Sequence, residues 1–280
     1  MSLTVSGLTY QRFLQGKVNS MDLGIEGRHA IVCASSRGLG RGCAEKLAEA
    51  GVHLTLNGRS EEPLRTLARD LGEKYNIEVR YVTADVTTES GRKALLAAQP
   101  DPDILVNNAG GPPAGLWSDW GETEWLKAIG ANMLTPILLT TAVLPGMIER
   151  GWGRIVNITS ASVKSPIPQL GLSNASRAGL TGFVAGTARQ VADRNVTINN
   201  LLPGPHDTDR IEALVENTAR QQNISRAEAR AGVVSGIPAK RLGTSEEFGA
   251  ACAFLCSTYA GFIVGQNILL DGGSFNSTMG

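Results

Sequence analysis

From Arg28 onward the chain alternates short runs of β-branched and aliphatic residues with longer segments in which apolar positions recur at helical spacing. The short runs fit strands covered on both faces, and the longer segments fit crossover helices lying on those faces. The pattern predicts seven strands, at Ala30–Cys33, Val52–Leu56, Val79–Thr83, Ile104–Asn107, Arg154–Ile158, Thr197–Leu202 and Asn267–Leu270. The class is α/β: a doubly wound, seven-stranded parallel sheet with helices on both faces. After the first strand, Leu39, Cys43 and Leu47 stand four apart beside Ala44 and Ala48, which predicts a helix with one apolar stripe. It should close at Ala50-Gly51, where a left-handed glycine suits the cap. A second well-marked helix runs from Gly171 to Ala192. The longest polar stretch, Asp207 to Arg230, keeps helical spacing at Ile211, Leu214 and Val215. It reads as a lid over the carboxyl edge of the sheet, where open α/β sheets bind ligands.

Composition adds exclusions. With 280 residues, 42% hydrophobic and 19% charged, the chain can bury one large core, and residues 21–280 read as one domain. Residues 1–20 are polar and aperiodic and read as an N-terminal extension. Lys plus Arg number 26 and Asp plus Glu 26, so no global field draws nucleic acid or an anionic membrane. Neither is expected as a partner. The chain has no run of eighteen apolar residues, and no basic flank followed by an apolar block near its start. No membrane span or secretory signal is therefore expected, and a reducing cytoplasm fits. Cys33, Cys43, Cys252 and Cys256 lack metal-ligand spacing and read as core residues, so no metal is expected.

The first strand runs directly into Ala34-Ser35-Ser36-Arg37-Gly38-Leu39-Gly40 and then into a helix. Glycines at such a turn let the backbone approach a pyrophosphate, which sits on the unpaired N–H groups and positive dipole end of the helix. Ala34, Ser36, Arg37, Gly38, Leu39 and Gly40 are the candidate contacts in what is then a Rossmann fold. A tight turn needing only small residues stays open as an alternative. The second strand ends in Asn57-Gly58-Arg59-Ser60, without the acidic residue that binds a free ribose 2'-hydroxyl. Arg37 and Arg59 can instead reach a 2'-phosphate, so NADP(H) is favoured over NAD(H), although each arginine alone also fits a solvated surface charge.

Further landmarks follow in order: Asp85-Val86, Asn107-Asn108-Ala109-Gly110, Ile155–Ser160, and Pro203-Gly204 with Thr208. Over residues 22–275 the chain resembles the short-chain dehydrogenase/reductase family, in its 3-oxoacyl-acyl-carrier-protein reductase-like branch. The resemblance implies that Asp85 and Val86 contact adenine, that Asn108, Ala109 and Gly110 brace the cofactor, and that Pro203, Gly204 and Thr208 serve the nicotinamide end. It implies hydride transfer between nicotinamide and a small carbonyl or alcohol substrate. It also implies a homodimer or homotetramer that uses the region after Ile268–Leu270. Of the family's catalytic Asn, Ser, Tyr and Lys, the first two match Asn132 and Ser160.

The other two are replaced. In register, Ser173 stands for the tyrosine and Arg177 for the lysine, and the chain's tyrosines (Tyr10, Tyr75, Tyr81 and Tyr259) lie elsewhere. This resembles a divergent subgroup lacking the Tyr-x-x-x-Lys pair. The i, i+4 spacing keeps Ser173 and Arg177 on one helix face. A phenol has a pKa of ~10 and an aliphatic hydroxyl is far less acidic, while a guanidinium of pKa about 12.5 or more exchanges no proton near neutrality. Arg177 is expected to hydrogen-bond ribose hydroxyls and to contribute charge. Replacement proton donors to weigh are Lys164, His206, and a water held by Ser160 and Ser173. Ala34 replaces the loop's first glycine and adds a methyl group near the pyrophosphate. The leading expectation is an NADP(H)-dependent reductase with an atypical catalytic set of Asn132, Ser160, Ser173 and Arg177. The alternatives are a cofactor-binding sensor or non-catalytic partner protein on the same fold, or a cleft holding another ligand.

Overall fold

The computed structural model describes residues 21–278; the segment 1–20, read above as an extension, lies outside the described residues. In chain order the elements are β1 (His29–Val32), α1 (Gly38–Glu49), β2 (His53–Gly58), α2 (Glu61–Tyr75), β3 (Val79–Thr83), α3 (Glu89–Ala98) and β4 (Ile104–Asn107). Then come α4 (Glu122–Ile129), a π-helical segment (Gly130–Leu134), α5 (Thr135–Arg150), β5 (Gly153–Ile158), α6 (Gly171–Val191) and β6 (Val196–Pro203). The chain closes with α7 (Asp209–Gln222), α8 (Arg226–Ser235), α9 (Ser245–Cys256) and β7 (Asn267–Leu270).

All seven expected strands form within two residues of their expected ends, in one parallel sheet of order β3-β2-β1-β4-β5-β6-β7. The order reverses between β1 and β4. That is the topological switch point, and it opens a crevice beyond the carboxyl ends of the strands. One core packs α1, α2 and α9 on one face of the sheet, through Cys43, Leu47, Leu64, Phe248 and Cys252. The other packs α5 and α6 on the opposite face, through Leu139, Val143, Met147, Leu180 and Val184. All four cysteines are buried and unpaired by disulfides, as core residues should be. In the apolar stripe of α1 Cys43, Ala44, Leu47 and Ala48 are fully buried and Leu39 partly so, and the helix is followed by Gly51 with φ +78°.

Three features differ from the pattern-based reading. First, β3 is an edge strand with Arg80, Tyr81 and Thr83 exposed, so burial on both faces fails at that margin. Second, the lid is two helices, α7 and α8, broken at Asn223 in the left-handed conformation. Ile211 and Val215 pack into a small core with Ala219, Ile224, Ala229 and Val233, whereas Leu214 is exposed. Third, the helical stretch Glu122–Arg150 is long and apolar enough to cross a membrane, with a best-window mean hydropathy of 1.5. Its apolarity has a local cause, because α5 lays Leu139, Val143 and Met147 into the core against the sheet. The lengthened turn at Gly130–Leu134 is held by Thr135, whose hydroxyl donates to the Gly130 carbonyl at 2.8 Å.

Candidate active site

Strands β4 to β7 each carry an asparagine at matched register: Asn107 beside Asn157, Asn157 beside Asn200, and Asn200 beside Asn267. Their side chains join into a ladder. Asn107 Nδ2 donates to Asn157 Oδ1 at 2.9 Å, Asn157 Nδ2 to Asn200 Oδ1 at 3.2 Å, and Asn200 Nδ2 to Asn267 Oδ1 at 2.8 Å. Buried amides in such a row hold one another and their strands in place. The next residue, Asn108, donates from Nδ2 to the Ala34 carbonyl at 3.3 Å and so ties β4 to the loop after β1.

That loop is tightly built. Ser35 N–H donates to the Asn57 carbonyl at 2.9 Å, and Asn57 Nδ2 donates to the carbonyls of Val82 and Ala84. Ala34 has φ +46°, a left-handed conformation that glycine adopts freely and alanine does not. The added methyl is thus compatible with the loop but strained. Gly40 packs so closely on the Ala34 carbonyl that a Cβ would collide with it. α1 starts without a side-chain cap and without an acidic residue in its first turn. Its leading N–H groups, those of Gly38, Leu39 and Gly40, remain available to an anion. Gly38 faces open space apart from Thr208, whose hydroxyl bonds the His206 carbonyl at 3.3 Å. Gly204 N–H bonds the Leu270 carbonyl at 2.8 Å, which sets Pro203-Gly204 against the last strand.

The two arginines expected to share a 2'-phosphate are separated. Arg37 reaches across the mouth to Asp209 at 3.1 Å, both side chains being three-quarters exposed. Arg59 forms no ion pair among the described residues and lies close enough to Asp85 for its charge to favour that carboxylate. The Asp85 carboxyl is held below its ordinary pKa chiefly by the Thr87 backbone N–H at 2.9 Å and the Thr87 hydroxyl at 2.8 Å. Val86 beside it is buried. An unpaired cation at the end of β2 and a run of free N–H groups at α1 fit the phosphates of a dinucleotide.

On the other side of the switch point, Ser160 Oγ accepts from Ser162 N–H at 3.1 Å and caps a short 3₁₀ turn, leaving its O–H free to donate. Ser173 and Arg177 meet as the spacing requires, with Arg177 Nε donating to Ser173 Oγ at 3.1 Å. Arg177, expected to hydrogen-bond ribose hydroxyls, is committed at Nε and Nη1, which leaves Nη2 for that role. Its Nη1 donates to the Ile158 and Thr159 carbonyls at 3.0 and 2.8 Å, pinning α6 to the end of β5. The longer, forked guanidinium spans this gap. Burial pushes its pKa down to about 10, with the neighbouring charge of Arg210 adding to the effect, so it stays charged at neutral pH.

Arg177 lines a cavity of about 20 Å³ with Cys33, Val86, Asn107, Asn108 and Asn132. That is room for about one water. Asn132 sits in the π-helical segment, bonded weakly to the Ala128 carbonyl at 3.4 Å, and its Oδ1 is buried without a partner, as is Asn107 Oδ1. Two unmet acceptors beside a guanidinium suit a bridging water better than Ser160 and Ser173 alone. Ala109 also lines the cavity, and Gly110 faces open space.

Neither alternative proton donor joins this group. His206 is buried, with Nδ1 3.1 Å from the Gly204 carbonyl and its ring edge-to-face on Phe248 at 5.2 Å. Desolvation lowers its pKa, so it is a neutral packing residue. Lys164 places its ammonium over the Phe275 ring at 5.9 Å. Two features went unread in the sequence: Arg210, and the ladder partners Asn157, Asn200 and Asn267. The ladder had a signal in the one asparagine set among apolar residues in β4, β5 and β7 and the Asn199-Asn200 pair in β6. Arg210 had none.

A parallel sheet that brings such groups to its switch point is the architecture of a dinucleotide-dependent oxidoreductase. The family model described as enoyl-(acyl carrier protein) reductase matches residues 33–274. The chain belongs to the short-chain dehydrogenase/reductase family. It is 34% identical over 255 residues to the 3-oxoacyl-[acyl-carrier-protein] reductase FabG of Vibrio cholerae, covering 90% of this chain and 99% of the relative. It is 33% identical over 260 residues to FabG of Aquifex aeolicus, covering 91% and 100%. Among solved structures, L-sorbose reductase from Gluconobacter frateurii, complexed with NADPH and L-sorbose, superposes with a TM-score of 0.87 at 29% identity, covering 92% of this chain and 100% of that one. YwfH, an NADPH-dependent reductase involved in bacilysin biosynthesis, gives 0.84 at 29% identity, covering 89% and 99%.

Proposed function

We propose that the protein is an NADP(H)-dependent reductase interconverting a small carbonyl compound and its alcohol with Asn132, Ser160, Ser173 and Arg177. The observation that carries this reading is the bonded pair Ser173–Arg177, whose guanidinium lines the same cavity as Cys33 and Asn108 at the foot of the dinucleotide loop. NADPH-dependent reductases among the structural relatives support the choice of cofactor. In this reading Ala34, Ser36, Gly38, Leu39 and Gly40 receive the pyrophosphate and Arg59 the 2'-phosphate. Arg37 joins Arg59 only if it leaves Asp209. Asp85 and Val86 take the adenine, Asn108, Ala109 and Gly110 brace the middle of the cofactor, and Pro203, Gly204 and Thr208 hold the nicotinamide end.

When bound, NADPH supplies a hydride to the carbonyl carbon and becomes NADP⁺. The protein's part is the oxygen. Ser160 donates its free O–H to it. Ser173, whose lone pair is taken by Arg177, turns its own O–H outward as a second donor. The buried positive charge of Arg177 favours the negative charge growing on that oxygen. Ser173 is a far weaker acid than a phenol, so it passes a proton to the alkoxide while taking one from water, and solvent neutralises the hydroxide. Lack of a better acid costs on the order of 10²–10⁴ in rate.

NADPH fluorescence titration and carbonyl-dependent NADPH oxidation test this. Turnover should be slow and should fall further in Ser160→Ala; unchanged turnover in that variant removes Ser160 from the mechanism. The commitment of Arg177 to strand carbonyls favours a second reading, a cofactor-binding sensor or non-catalytic partner protein. Tight NADPH binding with no turnover over a broad ketone and alcohol panel would select it. We further propose residues 21–280 as one domain and a homodimer or homotetramer, the latter supported by exposed Tyr259 and Phe262 near β7 and exposed Leu126, Leu134 and Leu138 along the helical stretch from α4 through the π-helical segment into α5. Four unpaired cysteines support a reducing, cytoplasmic setting.

A further inference from the structure

The acidic side chains of the lid are all engaged away from Arg210, Glu228 by the Ser225 N–H and hydroxyl of its own helix cap and the rest by arginines. Asp207 pairs with Arg230 at 2.8 Å, Asp209 with Arg37 at 3.1 Å, Glu212 with Arg226 at 2.8 Å and with Arg230, and Glu216 with Arg220 at 3.0 Å. Two arginines at the mouth are left out of this network. Arg177 is buried, and its bonds go only to neutral acceptors, Ser173 Oγ and two main-chain carbonyls. Arg210, in the first turn of α7, makes no hydrogen bond or ion pair among the described residues. Residues 1–20 contain no Asp or Glu that could answer either charge.

The place of Arg210 is built. Its guanidinium, Nη1 foremost, comes up against Gly111, the residue that follows Asn108-Ala109-Gly110, and no Cβ would fit between them. The segment from Asn108 to Gly111 therefore has the Arg177 cavity at one end and Arg210 at the other. The two guanidinium groups are near enough for the charge of one to disfavour the charge of the other. Two like charges held together, one of them desolvated, with no carboxylate between them, are an unneutralised arrangement that an anion relieves. A planar guanidinium fork matches a carboxylate with two parallel hydrogen bonds.

We propose that Arg210, with Arg177 beneath it, forms an anion subsite at the substrate mouth, and that the substrate is an oxo acid. Its carboxylate rests on Arg210 while its carbonyl oxygen meets Ser160 and Ser173. The inference rests on the reductase reading. It is separate from the cofactor's own phosphates, which that reading assigns to α1 and Arg59 across the switch point.

The test compares acetoacetate with methyl acetoacetate, which differ in the carboxylate charge and keep the same ketone. Calorimetric titrations use the full chain, with and without NADPH, in the unaltered protein and in Arg210→Gln. The Arg210 side chain is on the surface, so the variant folds. Acetoacetate should bind about tenfold or more tighter than its ester, as a charge-assisted bidentate contact provides. That preference should collapse in Arg210→Gln, with ester affinity unchanged. Equal affinity for acid and ester, a preference that survives in the variant, or no acetoacetate binding at all overturns the subsite. Failure of NADPH to bind removes the reductase reading instead, and the cofactor-free titration still decides the subsite.

Discussion

Restoring lysine at position 177 should weaken the protein, although lysine is what the family pattern carries there. Arg177 makes three hydrogen bonds from a buried guanidinium: 3.1 Å to Ser173 Oγ, 3.0 Å to the Ile158 carbonyl and 2.8 Å to the Thr159 carbonyl. Hydrogen bonds to charged groups contribute about 1.5–3 kcal/mol each. A lysine ammonium, shorter and unforked, keeps one of the three at best, so two are lost and about 3 kcal/mol goes with them. Part returns because a buried lysine can shed its charge, whereas Arg177, with its pKa pushed down to about 10, cannot do so at neutral pH. A net loss of about 2 kcal/mol remains. For a chain of this size that lowers the thermal midpoint by roughly 4–8 °C. Differential scanning calorimetry of Arg177→Lys at neutral pH measures it. A midpoint within about 1 °C of the parent would refute the claim that Arg177 pins α6 to β5.

Other expectations follow from single contacts. Ala34→Gly removes a left-handed alanine costing about 1–2 kcal/mol and adds back unfolded-state freedom of about 0.4–1 kcal/mol, so urea unfolding should show a gain of up to about 1.5 kcal/mol; a loss of stability contradicts the φ of +46°. Burial holds His206 below its ordinary pKa of 6.5, so the unfolded state takes up a proton first as pH falls. Stability tied to this residue is full above about pH 6.5 and declines below it, and His206→Phe should flatten that slope in denaturation curves between pH 7 and pH 5. The double variant Ser173→Tyr with Arg177→Lys restores an acid of pKa ~10 and should raise ketone-dependent NADPH oxidation by on the order of 10²-fold or more. No gain would mean that the cleft lacks more than its proton donor.

The sheet was legible because each strand is a short apolar run set between helical patterns, and burial against both layers of helices demands that pattern. The Ser173–Arg177 contact was legible too, since residues four apart on a helix must lie side by side. What Arg177 does with its remaining nitrogens was not, because that depends on where β5 ends relative to α6. Arg37 is the same case: its partner Asp209 stands 172 positions along the chain. His206, weighed as a proton donor on its intrinsic pKa, is enclosed by Phe248 and Gly243, which lie far from it in the chain. Arg210 is one arginine among many in a polar stretch. Only the pairing of the acids around it makes it unusual, and pairing is a property of the folded surface.

The asparagine ladder has a direction. Every amide in it offers its nitrogen toward β7 and its oxygen toward β4, so inverting one alone would set oxygen against oxygen on one side and nitrogen against nitrogen on the other. The four amides therefore turn over together or not at all. Asn107 is the fixed end of the row, because its Nδ2 also donates to the Thr140 hydroxyl at 3.2 Å and the Pro136 carbonyl at 3.4 Å, and it therefore presents an acceptor to the cavity. A substitution of Asn267, three strands from the chemistry, should release the amide of Asn200 at that margin of the sheet while the acceptor beside the cavity stays as it is.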